Sequence, residues 1–397
     1  MENEQPEQKK SAREIFDEIP FPLKIVVLVG SLFIVFVIFY ILYLVTMFEP
    51  PQRQPRIASI TNARESGGVF DPSVASDGTM KVMAHTIVYE FDGRMNVEVM
   101  LTQGLYNCLS WEALGGKIEQ RQDRLIGPDF ETPVADGFWR AETPSIVYDP
   151  ADTGREWKLF AYRYFWGGNT ALARLYGVIV MRYASNPAVQ EWSKEEWMFS
   201  ASDGTPPEPY AGLITTKINT LHKDLEDVYF YARPSVVNVD NVLVMSLSAF
   251  IQGKETPDRV ILLASTDHAR SWRYLGTALR ASDIKDIGAE FTSLNGASLF
   301  MKDRVMYMAA TLGTVYSDGT GAHVFEFENA SAARLRRDAK TGKITATNFL
   351  PTQQQPATRA GGGSLAYTDA CPRMTFMSES LTNRRQDIYV HQVPPVK

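Results

Sequence analysis

One short pattern returns five times along this chain and restricts what it can fold into. Its clearest forms are Phe70-Asp71-Pro72-Ser73-Val74, Thr143-Pro144-Ser145-Ile146-Val147 and Arg233-Pro234-Ser235-Val236-Val237. Looser forms are Gly296-Ala297-Ser298-Leu299 and Gly362-Gly363-Ser364-Leu365. The serines stand 72, 90, 63 and 66 residues apart, and each opens a run of short alternating apolar segments broken by turn residues. Self-similarity on this scale means one supersecondary unit per period, each copy burying its apolar face against the next.

The segments within a period read as strands. The first repeat gives 73–74, 80–84, 96–101 and 108–114, with Asp77-Gly78 and Asp92-Gly93 at turns, the spacing of an antiparallel meander. The second gives 145–148, 157–162, 176–181 and a fourth strand near Trp192, and the third gives 235–239, 242–247, 260–264 and 272–275. Four strands per repeat is the size of a propeller blade. Apart from one N-terminal stretch nothing sustains helical periodicity, which argues against βαβ folds. The fifth repeat ends without an outermost strand. The segment Arg56-Ile57-Ala58-Ser59-Ile60 could supply it, closing the ring and removing exposed sheet edges.

The expected fold is therefore all-β, a five-bladed β-propeller over residues 57–397. Cys108 and Cys371 fall in the first and last repeats, which a closed ring makes neighbours. A single disulfide and two unrelated buried thiols both fit that placement.

Residues 25–48 carry no charge over 24 positions, about 36 Å as a helix, enough to cross a bilayer with some tilt. The stretch ends in Met47-Phe48-Glu49-Pro50-Pro51 rather than in small residues at a cleavage site, so it reads as an uncleaved signal anchor. The expected organisation is a polar tail at 1–22, a transmembrane helix at 23–48, a Pro-rich linker at 49–56 and then the propeller. Lys9, Lys10, Arg13 and Lys24 against Arg53, Arg56 and Arg64 lean towards a cytoplasmic N-terminus, which would put the propeller in a periplasmic or other extracytoplasmic space.

A net charge of -6 argues against nucleic acid as a partner. His85, His222, His268, His323 and His391 lack ligand spacing, and Gly361-Gly362-Gly363 lacks the lysine and helix of a phosphate loop. Neither a metal nor a cofactor is expected.

The stretch Ser265-Thr266-Asp267-His268-Ala269-Arg270-Ser271-Trp272 resembles the Asp-box of sialidase-type propellers, with Ala269 and Ser271 in place of that motif's usual glycine and threonine. The resemblance implies a turn between the third and fourth strands of a blade, with Asp267 capping it and Trp272 packed into the blade. Ala184-Ser185-Asn186-Pro187 followed by Trp192 repeats the spacing.

Five Pro-Ser type inner strands over roughly residues 55–395 resemble the five-bladed glycoside hydrolases of the arabinanase/xylosidase and invertase-like groups. In those enzymes an aspartate opening the first blade acts as base or nucleophile, and Asp71 matches that position. Glycoside cleavage needs two facing carboxyl groups, one protonated and one ionised. The positions flanking the five serines supply Asp71 and Glu142, but Arg233 stands in the third blade, where the families keep a glutamate. Glu226, Asp227, Glu290 and Asp369 are substitutes in reach of the pattern, and the catalytic candidates are Asp71, Glu142 and Glu290. Arg233 and Asn295 are binding candidates, as are Trp139 and Trp166 through stacking on sugar faces.

The incomplete carboxylate set leads to the reading of a membrane-anchored, non-catalytic propeller. It would serve as an accessory subunit of a membrane complex or as a platform for a protein or glycan partner. The alternative is a membrane-tethered glycoside hydrolase acting on envelope or extracellular polysaccharide, with Asp71 as base or nucleophile.

Overall fold

The computed structural model describes residues 20–22, 25, 33, 35–40, 56–60, 67–126, 133–168, 173–174, 176–188, 192–200, 214–313, 321–352, 358–381, 386–392 and 395–396. The chain divides into two compact units, Met1–Gln54 and Pro55–Lys397. In the first, the expected membrane-spanning helix requires correction. Among the described residues no helix is long and apolar enough to cross a membrane. The rest of the 23–48 expectation lies outside the described residues. The expectation of a single-pass protein with a cytoplasmic N-terminus and a periplasmic propeller is thereby overturned.

The second unit is a five-bladed β-propeller. Its innermost strands are Gly68–Ser76, Pro133–Tyr148, Val228–Val239, Ser293–Lys302 and Thr358–Tyr367, each pairing antiparallel with the strand that follows it. These strands begin before the serines at which the sequence pattern starts, because each carries a register shift just ahead of the serine. The shifts fall at Phe70/Ser73, Glu142/Ser145, Ala232/Ser235, Leu294/Gly296 and Ala360/Leu365. Proline suits such a bulge, since it has no N–H to lose from a ladder. The residue before the proline or alanine takes positive φ, with Asp71 at 54°, Thr143 at 50°, Arg233 at 58° and Gly296 at 147°. Left-handed backbone is costly for any non-glycine residue and most so for β-branched Thr143, so the bulge is held by its surroundings.

What holds it includes the repeated serine. Ile146 N–H donates to Ser73 Oγ at 3.0 Å, Val236 N–H to Ser145 Oγ at 2.8 Å and Leu299 N–H to Ser235 Oγ at 2.8 Å. Ser298 Oγ–H donates to the Leu365 carbonyl at 2.7 Å. Each serine thus bonds the backbone of the next blade, at the residue following that blade's own serine.

The core lies between blades rather than within a single sheet. Five apolar clusters fill the five interfaces, including that between the last blade and the first, where Phe376, Ile388 and Val390 meet Met83, Ile87 and Trp111. A tryptophan at or near the fourth strand of three blades packs back on the preceding one. Trp111 lies edge-on to Phe376, Trp192 crowds Leu101 and Gly116, and Trp272 meets Phe160 and Phe199. The turn at Asp267 forms as the resemblance implies. Asp267 Oδ1 accepts from Ser265 Oγ–H and from Ser271 N–H, each at 2.8 Å, and it joins the third and fourth strands of blade three.

Closure is threefold. Arg56–Ile57 pairs antiparallel with Gln386–His391 as the missing fourth strand of blade five, while Ser59–Ile60 pairs in parallel with the outer strand of blade one. Cys108 and Cys371 form a disulfide between those same two blades, 263 residues apart in sequence. Asp71 N–H donates to the buried Ser378 Oγ of blade five at 2.7 Å.

Not every blade has four strands. Blade two has six, because Arg121–Ile126 pairs with the leading half of Pro133–Tyr148 and Ile214–Lys217 adds a parallel outer strand. A buried ion network joins this blade to the next. Lys158 Nζ lies 2.9 Å from Oδ2 of both Asp149 and Asp152; the same Asp149 oxygen meets His268 Nδ1 at 3.0 Å, and Asp152 Oδ1 meets Arg270 at 2.9 Å.

Ser145→Ala should lower the unfolding free energy by about 1–3 kcal/mol in urea titrations, because the Val236 N–H then lacks an acceptor. Reducing the disulfide should cost up to about 5 kcal/mol by the chain-entropy relation for so long a loop, read as a fall in Tm with added reductant. An unchanged Tm would show that the interlocked strands close the ring without it.

Candidate functional site

The five inner strands enclose a central cleft of about 470 Å³. Its walls are the recurring segments themselves, with Asp71, Thr143 and Arg233 at the bulges and Ser73, Ser235 and Ser298 below them. At a bulge the extra residue turns its side chain out of the regular alternation. The same backbone device therefore seats an aspartate, a threonine and an arginine at equivalent places around one opening.

Asp71 is held from two blades. Its N–H is fixed by Ser378, and its carboxylate accepts from Thr86 Oγ–H at 3.4 Å. The same Thr86 oxygen accepts from Thr143 N–H at 3.0 Å, linking the bulges of blades one and two. Thr143 Oγ1 is itself buried with no hydrogen-bond partner among the described residues.

Glu142 immediately precedes the blade-two bulge and accepts from Tyr164 O–H at 3.4 Å. Burial pushes its carboxyl up to about 7, and the negative charge of Asp71 adds to the rise. Arg233, the Tyr164 hydroxyl and Arg140 pull the other way without cancelling it. Near neutrality Glu142 is therefore a carboxylic acid that still holds its proton for part of the time, beside a second carboxyl group. The Tyr164 phenol is raised far above its ordinary value, first by burial and then by Glu142, so it remains a donor.

The other sequence candidates separate. Asn295 is fully buried, with Oδ1 accepting from Ser293 Oγ–H at 2.6 Å and Nδ2 lacking a partner among the described residues. Glu290 is exposed, ahead of the blade-four inner strand, and its charge acts on His323 rather than on the cleft. Asp227 is bound to Arg259 at 2.7 Å, and Glu226 is exposed in the turn before it. Asp369 lines the cleft four residues beyond Leu365, away from the bulges. Trp139 is fully buried, its Nε1–H donating to Asp123 and its ring edge-on to Phe165 and Trp197, so it is core and faces no sugar. Trp166 is partly exposed beneath the Arg140 guanidinium, 5.3 Å above its ring.

Tyr164, Thr86 and Arg140 were absent from the sequence candidates. The strand Trp157–Trp166 alternates Tyr162, Tyr164 and Trp166 on one side, and Glu142 stands opposite Tyr162. That alternation was the available signal, but assigning it to Glu142 requires the register. Among the described residues no group of His, Cys, Asp and Glu could hold a metal ion.

No protein-family model matches the chain, and no curated protein matches its sequence. Solved structures do share the fold. A xylan β-1,4-xylosidase from Bacillus halodurans C-125 superposes with a TM-score of 0.50 at 14% identity, over 83% of this chain and 54% of that one. This chain thus spans about half the length of that enzyme. An endo-arabinanase from Bacillus licheniformis gives 0.47 at 12% identity over 82% and 93% of the two chains. An α-L-arabinofuranosidase from Podospora anserina in complex with cellotriose gives 0.43 at 9% over 86% and 96%. These neighbours are propellers of the arabinanase and xylosidase type, and the likeness is one of fold.

Glu142 binds a proton in the folded chain up to about pH 7 but releases it near 4.5 when unfolded. Stability should therefore fall as pH rises between those values, and the penalty should be complete above pH 7. Glu142→Gln should raise the urea midpoint at pH 8 and leave it nearly unchanged at pH 4, with a gain of at most about 3 kcal/mol. An equal gain at both pH values would place its origin outside this ionisation.

Proposed function

We propose that this propeller binds a saccharide in its central cleft and hydrolyses a glycosidic bond, with Glu142 as the proton donor and Asp71 as base or nucleophile. The observation that carries the reading is the pair itself. Asp71 lines the cleft at one bulge, Glu142 immediately precedes the neighbouring bulge, and the Glu142 carboxyl is driven towards neutrality by burial and by the charge of Asp71. Glycoside cleavage needs that division of labour, an acid to protonate the leaving oxygen and a carboxylate to activate water or attack the anomeric carbon. Tyr164 orients the Glu142 carboxyl, and Thr86 and Ser378 fix Asp71. The xylosidase shares the fold alone, and function resides in the site and not in the fold, so the reading rests on the carboxyl pair.

A second reading, a propeller that binds a glycan or protein partner without cleaving it, is favoured by Arg233. An arginine occupies the blade-three bulge and cannot donate a proton at working pH, so all acid chemistry falls to Glu142.

The two readings part on a panel of neutral and acidic polysaccharides. Hydrolysis should be measurable and should decline as pH rises above about 7, where Glu142 loses its proton. It should drop by about 10²–10⁴-fold in Asp71→Asn and in Glu142→Gln. Saccharide binding without turnover by the unaltered chain, or turnover that survives both substitutions, would sink the enzyme reading.

A further inference from the structure

A second cavity, of about 320 Å³, is lined by Arg94, Met95, Asp136, Phe138, Arg140 and Trp166 among others. It lies between the hairpin turn of blade one, which carries Arg94, and the leading half of the strand Pro133–Tyr148. Arg140 connects it to Glu142. It precedes Glu142 by two residues, about 7 Å along a strand, its charge acts on Glu142, and its guanidinium also hydrogen-bonds Tyr164.

The cavity is both aromatic and cationic. The Arg94 guanidinium lies 5.7 Å over the Phe138 ring, and that of Arg140 5.3 Å over Trp166. Arg140 otherwise donates to neutral oxygens, Gln120 Oε1 at 3.0 Å and the Met95 carbonyl at 2.8 Å. Asp136, the carboxylate in the lining, is engaged at 2.6 Å by Arg124. Among the described residues neither Arg94 nor Arg140 has a carboxylate within ion-pair distance, so two positive charges line the cavity, that of Arg140 offset in part by Glu142. Flat aromatic surfaces suit the apolar face of a pyranose, and a planar guanidinium matches a carboxylate through two parallel hydrogen bonds.

We propose that this cavity is a subsite for a uronic acid, a sugar bearing a carboxylate, next to the cleavage position. The saccharide part of this assignment rests on the reading of the cleft given above, while the preference for an anion rests on the cavity alone. In this arrangement Arg94 and Arg140 take the carboxylate while Trp166 and Phe138 take the ring. A neutral chain then binds through the rings alone.

Calorimetry on the full-length Asp71→Asn chain, with tetragalacturonate and its fully methyl-esterified form as probes, tests the assignment. Tetragalacturonate should bind at least about 10-fold more tightly than its ester, and the difference should shrink with added salt. Arg94→Gln, at an exposed position, should bring tetragalacturonate down to the affinity of the ester without changing the ester's own. Equal affinity for the two probes, binding of neither, or indifference to Arg94→Gln would overturn the proposal. The cleavage reading fails separately. Anion-dependent binding with no turnover of any polysaccharide refutes the enzyme and upholds the subsite, whereas turnover of glycans with no preference for the charged probe does the reverse.

Discussion

Five sheets arranged around an axis leave each inner strand, from its repeated serine onward, with one backbone edge that no strand of its own sheet pairs. The repeated serine meets part of that need. Its hydroxyl reaches the next blade's backbone one residue past that blade's serine, at 2.7–3.0 Å in the four interfaces where the side chain is described. A buried N–H without an acceptor costs about as much as a lost hydrogen bond, so the serine is tied to the geometry of the ring rather than to any one strand. The bulge above it follows from the same crowding, and it is the bulge that turns Asp71, Thr143 and Arg233 towards the cleft.

The rim gains rigidity from how the ring is closed and cross-braced. The disulfide between Cys108 and Cys371 and the strand 56–60, shared by the last blade and the first, hold together the junction where the Asp71 backbone is fixed by Ser378. At the next interfaces Thr86 ties blade one to blade two, and the Lys158 network with the Asp267 turn ties blade two to blade three. A carboxyl group such as Glu142 stays partly protonated at neutral pH only while its surroundings cannot relax to solvate it. A braced rim is what sustains that condition.

Much of this was legible in advance, and the reasons are specific. The Pro-Ser period revealed the number of blades because every inner strand meets the same steric problem. The strand at 56–60 was readable as the closing element because the last repeat was one strand short. Asp267 was readable as a turn residue because its ligands lie within four positions along the chain. The membrane-spanning helix read from 23–48 was not upheld, since among the described residues no helix is long and apolar enough to cross a membrane. Blade two was misjudged as four-stranded, because the strand Arg121–Ile126 joins it by pairing ahead of the repeat marker.

Locally encoded features, the period, the bulge-forming X-Pro-Ser, the turns and the two cysteines, were determined by the sequence itself, because each depends on residues a few positions apart or on a pattern that recurs. The tertiary structure alone decided which side chains share an environment. It placed Trp139 in the core, carried Glu290 to His323, and gathered Tyr164, Arg140 and Arg233 around Glu142. Strand register and blade order set those neighbours. The resulting proton affinity of Glu142 is a property of burial and of charges from other blades, which no local stretch of sequence contains.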